Sequence, residues 1–142
     1  MNDTGSIFIH HKFAFKDGET GKKLMVILGN FNNHVVVAKT TSQQHDRGIT
    51  YGCQPSDRFH NFYLPQGSCY FEKCTWICLD EFFEFTDKDL FNARVQNDMF
   101  LSGKLDNHHL IKLQNCALES LDISENQENT IIKSLIKLDD VV

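Results

Sequence analysis

Residues 74–85 read CTWICLDEFFEF. Trp76, Ile77, Cys78, Leu79, Phe82, Phe83 and Phe85 give this stretch a strong strand composition, because aromatic and β-branched side chains suit a pleated, half-buried surface. It is expected to be one strand and the spine of a sheet. Asp80 and Glu81 sit in its middle. A carboxylate inside an apolar strand is costly unless it has a partner or faces a site. The same stretch is therefore expected to hold a polar group for a purpose. Alternation places Trp76, Cys78, Asp80 and Phe82 on one face, opposite Ile77, Leu79 and Glu81.

Working outward, residues 6–11 (SIFIHH) read as a short strand, and D-G and T-G turn signals follow within residues 12–21. The apolar run KLMVIL, residues 23–28, fits a buried strand. HVVVAKT, residues 34–40, is the next, and the short connections favour antiparallel pairing. Residues 41–58 are polar and read as loop, and FHNFYL, residues 59–64, reads as a strand. Beyond the opening stretch, Thr86 and Asp87 have helix-start character. Residues 91–100 fit helix or strand, and Ser102-Gly103 reads as a break. Asp106 is the expected N-cap of a helix over residues 107–120, with Leu110, Leu113, Ala117 and Leu121 on one face. Ser124 and Gln127 form a capping-box pattern that opens a second helix over residues 125–138. Strands first and helices last make an α+β domain: a small antiparallel β-barrel or sheet with segregated helices.

The net charge of −5 argues against general coating of nucleic acid. No apolar run approaches the roughly 18–20 residues of a membrane span. The first residues, MNDTGSIFIHH, lack a basic-then-apolar leader pattern, so a cytoplasmic protein away from membranes is expected. Five cysteines in such a compartment are expected to be reduced. A zinc reading of Cys69, Cys74 and Cys78, with Cys53 and His60 upstream, meets a spacing problem. Cys74 and Cys78 lie about 13 Å apart on an extended strand, too far to share one ion, so buried free thiols are expected instead. Lys12, Lys16, Lys22 and Lys23 flank one loop, with Phe13 and Phe15 between them. Charge for phosphate and rings for bases suit single-stranded RNA; a solvated hairpin fits equally, and Asp17 and Glu19 weaken the field.

Four segments, in order, resemble the PemK/MazF toxin family. They are Gly5-Ser6-Ile7-Phe8, then Gly21-Lys22-Lys23-Leu24-Met25-Val26-Ile27-Leu28, then Val37-Ala38-Lys39-Thr40-Thr41-Ser42, then Trp76-Ile77-Cys78-Leu79-Asp80-Glu81. Leu101-Ser102-Gly103-Lys104-Leu105 followed by a helix is similar too. The resemblance implies an SH3-like β-barrel over residues 1–121, with residues 122–142 an additional amphipathic helix packed on the same domain. It further implies a homodimeric endoribonuclease that needs no metal or cofactor. Such an enzyme cleaves single-stranded RNA through the ribose 2′-hydroxyl and is countered by an antitoxin-like protein. That chemistry needs a base, a cation for the phosphorane charge and an acid for the leaving oxygen. By resemblance Asp80 is the acid/base residue, and Lys22 or Lys23 stands where the family has arginine. Either a histidine (His10, His11 or His60) replaces the missing group, with His11 the one carried into the site, or the site has lapsed. Thr41 and Ser42 would hold phosphate or base edges, with Lys12, Phe13, Lys16 and Trp76 completing the RNA-binding set. Two positions depart from the family. Cys78 stands where an arginine precedes the aspartate by two, and Lys23-Leu24 replaces an arginine-proline pair. A thiol supplies no fixed positive charge, and lysine no bidentate fork. The alternative is the same barrel without catalysis, kept as a protein- or RNA-binding module.

Overall fold

A computed structural model describes residues 3–14, 20–67, 71 and 73–136; the side chains at 12–14 and 20–22 lie outside the described set. The elements are β1 (Ser6–Ala14), β2 (Thr20–Phe31), β3 (His34–Thr41), β4 (Gly52–Gln54), β5 (Asn61–Leu64), β6 (Thr75–Cys78), β7 (Phe83–Phe85), α1 (Asp87–Val95), β8 (Met99–Lys104), α2 (Asn107–Leu118) and α3 (Glu125–Lys133). The eight strands form an antiparallel sheet of order β4-β5-β6-β3-β2-β1-β8, with β7 also on β3. The path is open at β4 and β8, so the expected closed barrel is replaced by an open sheet with helices. Among the described residues no helix is long and apolar enough to cross a membrane.

The β2–β3 hairpin turns at Asn32 and Asn33, with φ of 51° and 66°. Asparagine tolerates this left-handed pair, whose twist matches the flanking strands. Both strands bury both faces. Val26, Leu28, Val36 and Ala38 join one core with Phe62, Ile77, Leu110, Leu113 and Ile131. Met25, Ile27, Val35 and Val37 join a second with Phe8, Leu90 and Met99. Helices on opposite faces explain why these strands read as unbroken apolar runs. On the first face α3 approaches very closely. A Cβ at Gly29 would lie 3.0 Å from the Ile131 Cα and 3.1 Å from the Thr130 carbonyl oxygen. Any larger residue there would press on the α3 backbone, which would have to shift back by a few tenths of an ångström.

Residues 74–85 are not one strand. Thr75–Cys78 and Phe83–Phe85 are separate, and both pair with the same edge of β3. β7 takes Val35–Val37 and β6 takes Thr40 and Thr41. Residues 79–82 step out of the ladder opposite Ala38 and Lys39, and there Glu81 accepts a hydrogen bond from Lys39 Nζ at 3.1 Å. The two carboxylates thus mark a break, and the expected alternation through Asp80 ends at Cys78.

Other boundaries differ as well. The ambiguous stretch is helix α1, capped by a Thr86/Asp89 box, followed by β8. Ser102-Gly103 lies inside β8, where the β1 register shifts. A short strand, β4, interrupts the expected polar loop. Leu121, expected on the α2 face, is 99% exposed. α3 ends at Lys133, four residues before the undescribed tail begins, so the helix expected to reach 138 is shorter. The reduced-thiol expectation fails at one pair: Cys53 on β4 and Cys116 on α2 form a disulfide. Cys74 and Cys78 are free, and Cys69 lies outside the described residues.

Candidate functional site

The ends of β2 and β3, with Phe71 and Thr75, enclose a cleft of about 740 Å³. Its polar wall is Lys23, Thr40, Thr41, Ser42, Gln43 and Lys73; Ile9, Leu24 and Phe71 supply apolar surface. Thr40 is committed, since its hydroxyl donates to the Leu24 carbonyl at 2.9 Å. The Thr41 hydroxyl oxygen accepts from the Gln43 amide at 3.1 Å and retains its own proton to donate. Two ammonium groups, hydroxyls and an apolar floor form an arrangement suited to an anion carrying a flat or apolar body.

Lys23, in the cleft wall, also belongs to a partly buried charge cluster centred on Cys78. Arg47, from the β3–β4 loop, brings Nη2 to 3.8 Å from the Cys78 sulfur. Its guanidinium also lies 5.5 Å from the Phe59 ring centre. Burial pushes the Cys78 thiol up; Arg47 opposes this, Asp80 adds to it, and Lys39 and Lys23 oppose it more weakly. Burial lowers the Lys23 ammonium below its ordinary value. Cys78 works against that shift, whereas Lys39 and Arg47 reinforce it. Three cations, Lys23, Lys39 and Arg47, therefore share the field of one thiol. Within the cluster Arg47 Nε and Asp80 Oδ1 are buried without a hydrogen-bond partner. Such atoms are uncommon and call for an explanation.

The structure brings Lys23, Thr41 and Ser42 together at the cleft, whereas Asp80 lies in the bend between β6 and β7 and is not part of its lining. Trp76 is not a stacking platform. It is 4% exposed, donates from its indole to the Gly48 carbonyl at 2.8 Å, and packs 5.0 Å from Tyr63. His11 is exposed, with its ring edge-on to Phe100 at 5.2 Å, and it does not line the cleft. Lys12, Phe13 and Lys22 have backbone in β1 and β2, but their side chains lie outside the described residues, as does all of Lys16. Sequence reasoning missed Arg47, because nothing in a polar loop signals contact with residue 78. Lys39 was missed too, although β3 alternation, which places it on the face of Val35 and Val37, could have pointed to it. No protein-family model matches the chain, and no curated protein matches it.

Proposed function

We propose that this chain is a toxin-type endoribonuclease that cleaves single-stranded RNA through the ribose 2′-hydroxyl, with the phosphodiester held over the Lys23–Thr41–Ser42 wall of the cleft. The observation that carries this reading is Arg47, whose Nη2 lies 3.8 Å from the Cys78 sulfur, in a field that Cys78 shares with Lys23 and with the Glu81-paired Lys39. Cys78 stands where the PemK/MazF resemblance expects a cation, and Arg47 offers one from a different element. In the proposed reaction the 2′-oxygen attacks phosphorus and gives its proton to the Asp80 carboxylate. Arg47 and Lys23 offset the phosphorane charge, and the leaving 5′-oxygen takes a proton from Lys23, whose lowered pKa suits it to give one up. The SH3-like family assignment, an antitoxin-like partner and a homodimer belong to the same proposal. For the homodimer the support is an exposed apolar surface on α1 and β8, with Phe91 57%, Val95 63% and Leu101 51% exposed.

Incubation of the purified protein with several single-stranded RNAs in EDTA should yield 2′,3′-cyclic phosphate ends. Absence of cleavage on all of them would sink the enzymatic reading. A second reading, an RNA-binding module without catalysis, is favoured by one observation: Asp80 does not line the cleft. It predicts retained, salt-sensitive RNA binding with no cyclic phosphate. Under either reading Lys23→Ala lowers the slope of log affinity against log salt by about 0.7, one phosphate contact on a single strand.

A further inference from the structure

A separate cluster lies where β4, the start of β5 and α2 meet. The ligand atoms of Cys53, His60 and Cys116 lie within 4.8 Å of one another. His60 Nε2 is 3.5 Å from the Cys116 sulfur, and Glu119 Oε2 is 3.3 Å from the Cys53 sulfur. A tetrahedral site with Zn–S near 2.3 Å and Zn–N near 2.0 Å has ligand-to-ligand edges of about 3.5–3.8 Å. Those two edges are already close to that size. The sulfur-to-sulfur edge is shorter because a covalent bond closes it.

We propose that reduction of the Cys53–Cys116 disulfide opens a binding site for a thiophilic divalent cation of the zinc class, with Cys53, Cys116 and His60 as ligands and the Glu119 carboxylate as the fourth. Cys53 and His60 also stood in the sequence-based zinc reading, there beside Cys69, Cys74 and Cys78; Cys116 takes the place of those three. Entry is through a second cleft, about 400 Å³, whose wall includes Cys53, Cys116, Glu119, Tyr51 and Lys112. Cys53 is half-buried there, whereas Cys116 is 1% exposed, so Cys53 is the sulfur a reductant reaches.

The steps balance. A phosphine attacks the Cys53 sulfur and breaks the S–S bond, and the Cys116 thiolate leaves and takes a proton. Water then displaces the Cys53 sulfur from phosphorus, leaving two thiols and the phosphine oxide. Metal uptake releases one proton from each thiol. In the disulfide form His60 Nε2 sits 2.7 Å from the Cys116 carbonyl oxygen, which it reaches as a donor. Binding moves that proton to Nδ1 through solvent and frees the Nε2 lone pair.

The test uses the full chain, reduced with a water-soluble phosphine, desalted without oxygen and titrated with Co²⁺. One equivalent should give a thiolate-to-cobalt charge-transfer band, and one equivalent of Zn²⁺ should abolish it. The oxidised protein should show no band, and Cys53→Ser should lose it with an unchanged far-ultraviolet circular dichroism spectrum. His60→Gln should weaken affinity by about tenfold or more, as loss of even an outer-shell partner costs 10–100-fold. No band in the reduced protein, or an undiminished band in Cys53→Ser, overturns the proposal. If Cys53→Ser does not fold, alkylation of the reduced wild type decides: Zn²⁺ should protect Cys53 and Cys116 in peptide mass maps, and equal labelling with and without the ion overturns the site.

Discussion

Arg47 and Gly48 are consecutive residues in one loop, yet they belong to opposite kinds of polar cluster. Around Gly48 every group described has a partner. Gln54 Nε2 donates to the Gly48 carbonyl at 2.9 Å and to Asn61 Oδ1 at 2.7 Å, and Gln54 Oε1 accepts from the Thr50 amide at 2.9 Å. Asn61 Nδ2 donates to Asp57 Oδ2 at 2.9 Å and to the Phe59 carbonyl at 2.8 Å, while Asp57 Oδ2 also accepts from the Gly48 amide at 2.8 Å. One residue earlier, Arg47 Nε is buried with no partner, as is Asp80 Oδ1. A completed buried network rigidifies; an incomplete one holds unspent interaction capacity. The difference marks the Gly48 side as a completed scaffold, while the Arg47 side keeps the open polar atoms that the proposed RNA site would use.

If that division is right, substitutions on the two sides should separate stability from activity. The largest effect is expected for Asp80→Ala, which should lower RNA cleavage by about 10²–10⁴-fold as loss of an acid/base group, with urea midpoints near wild type; an unchanged rate removes Asp80 from the chemistry. Next comes Asn61→Ala on the scaffold side. It takes one of two partners from Gln54 Nε2 and from Asp57 Oδ2, which keep their bonds to Gly48, and removes the Asn61 donor from the Phe59 carbonyl; it should cost about 1–3 kcal/mol in urea unfolding, the usual cost of a buried group left unpaired. Arg47→Met should shift stability by less than about 1 kcal/mol, because an apolar isostere removes a poorly satisfied buried charge, yet weaken RNA binding in a filter assay. If Arg47→Met unfolds the protein, the two clusters are alike after all.

The smallest effect is chemical. The Tyr63 hydroxyl donates to the Cys74 sulfur at 3.3 Å and holds its thiol below the ordinary range, whereas burial raises Cys78. Iodoacetamide at pH 8 should label Cys74 several-fold faster than Cys78, read by peptide mapping, because the thiolate is the reactive form. Cys78, raised in the folded state, contributes stability that is complete below pH 9.0 and is lost as pH rises through its folded value. Lys23, lowered from 10.5, contributes stability present above pH 10.5 and lost as pH falls through its folded value.

Much of the frame was legible because local signals and long-range packing agreed. The Asp106 cap, the Ser124/Gln127 box and the apolar runs of β2 and β3 each mean one thing in sequence, and each is found. The opening stretch misled because composition does not record where a ladder breaks. Only the pairing of both halves with β3 shows that Asp80 and Glu81 sit at a step. Lys23, Thr41 and Ser42 were placed through the resemblance and do share the cleft. Arg47 and the Cys53–Cys116 bond were not legible, since partners 31 and 63 residues apart leave no periodic trace.

The place of β1 in the sheet has a consequence for how the chain is made. β1 pairs with β2 on one side and β8 on the other, and Ser6 meets Lys104. During translation the β1–β2–β3 meander is complete long before β8 exists. The roughly sixty residues from Thr41 to Lys104 take about 3–12 s to synthesise at 5–20 residues per second. For that interval the nascent chain carries an open strand edge next to apolar Ile7 and Phe8, the kind of edge that recruits other strands. Ribosome-bound fragments that stop before Met99 should therefore be the most aggregation-prone species on the way to this protein.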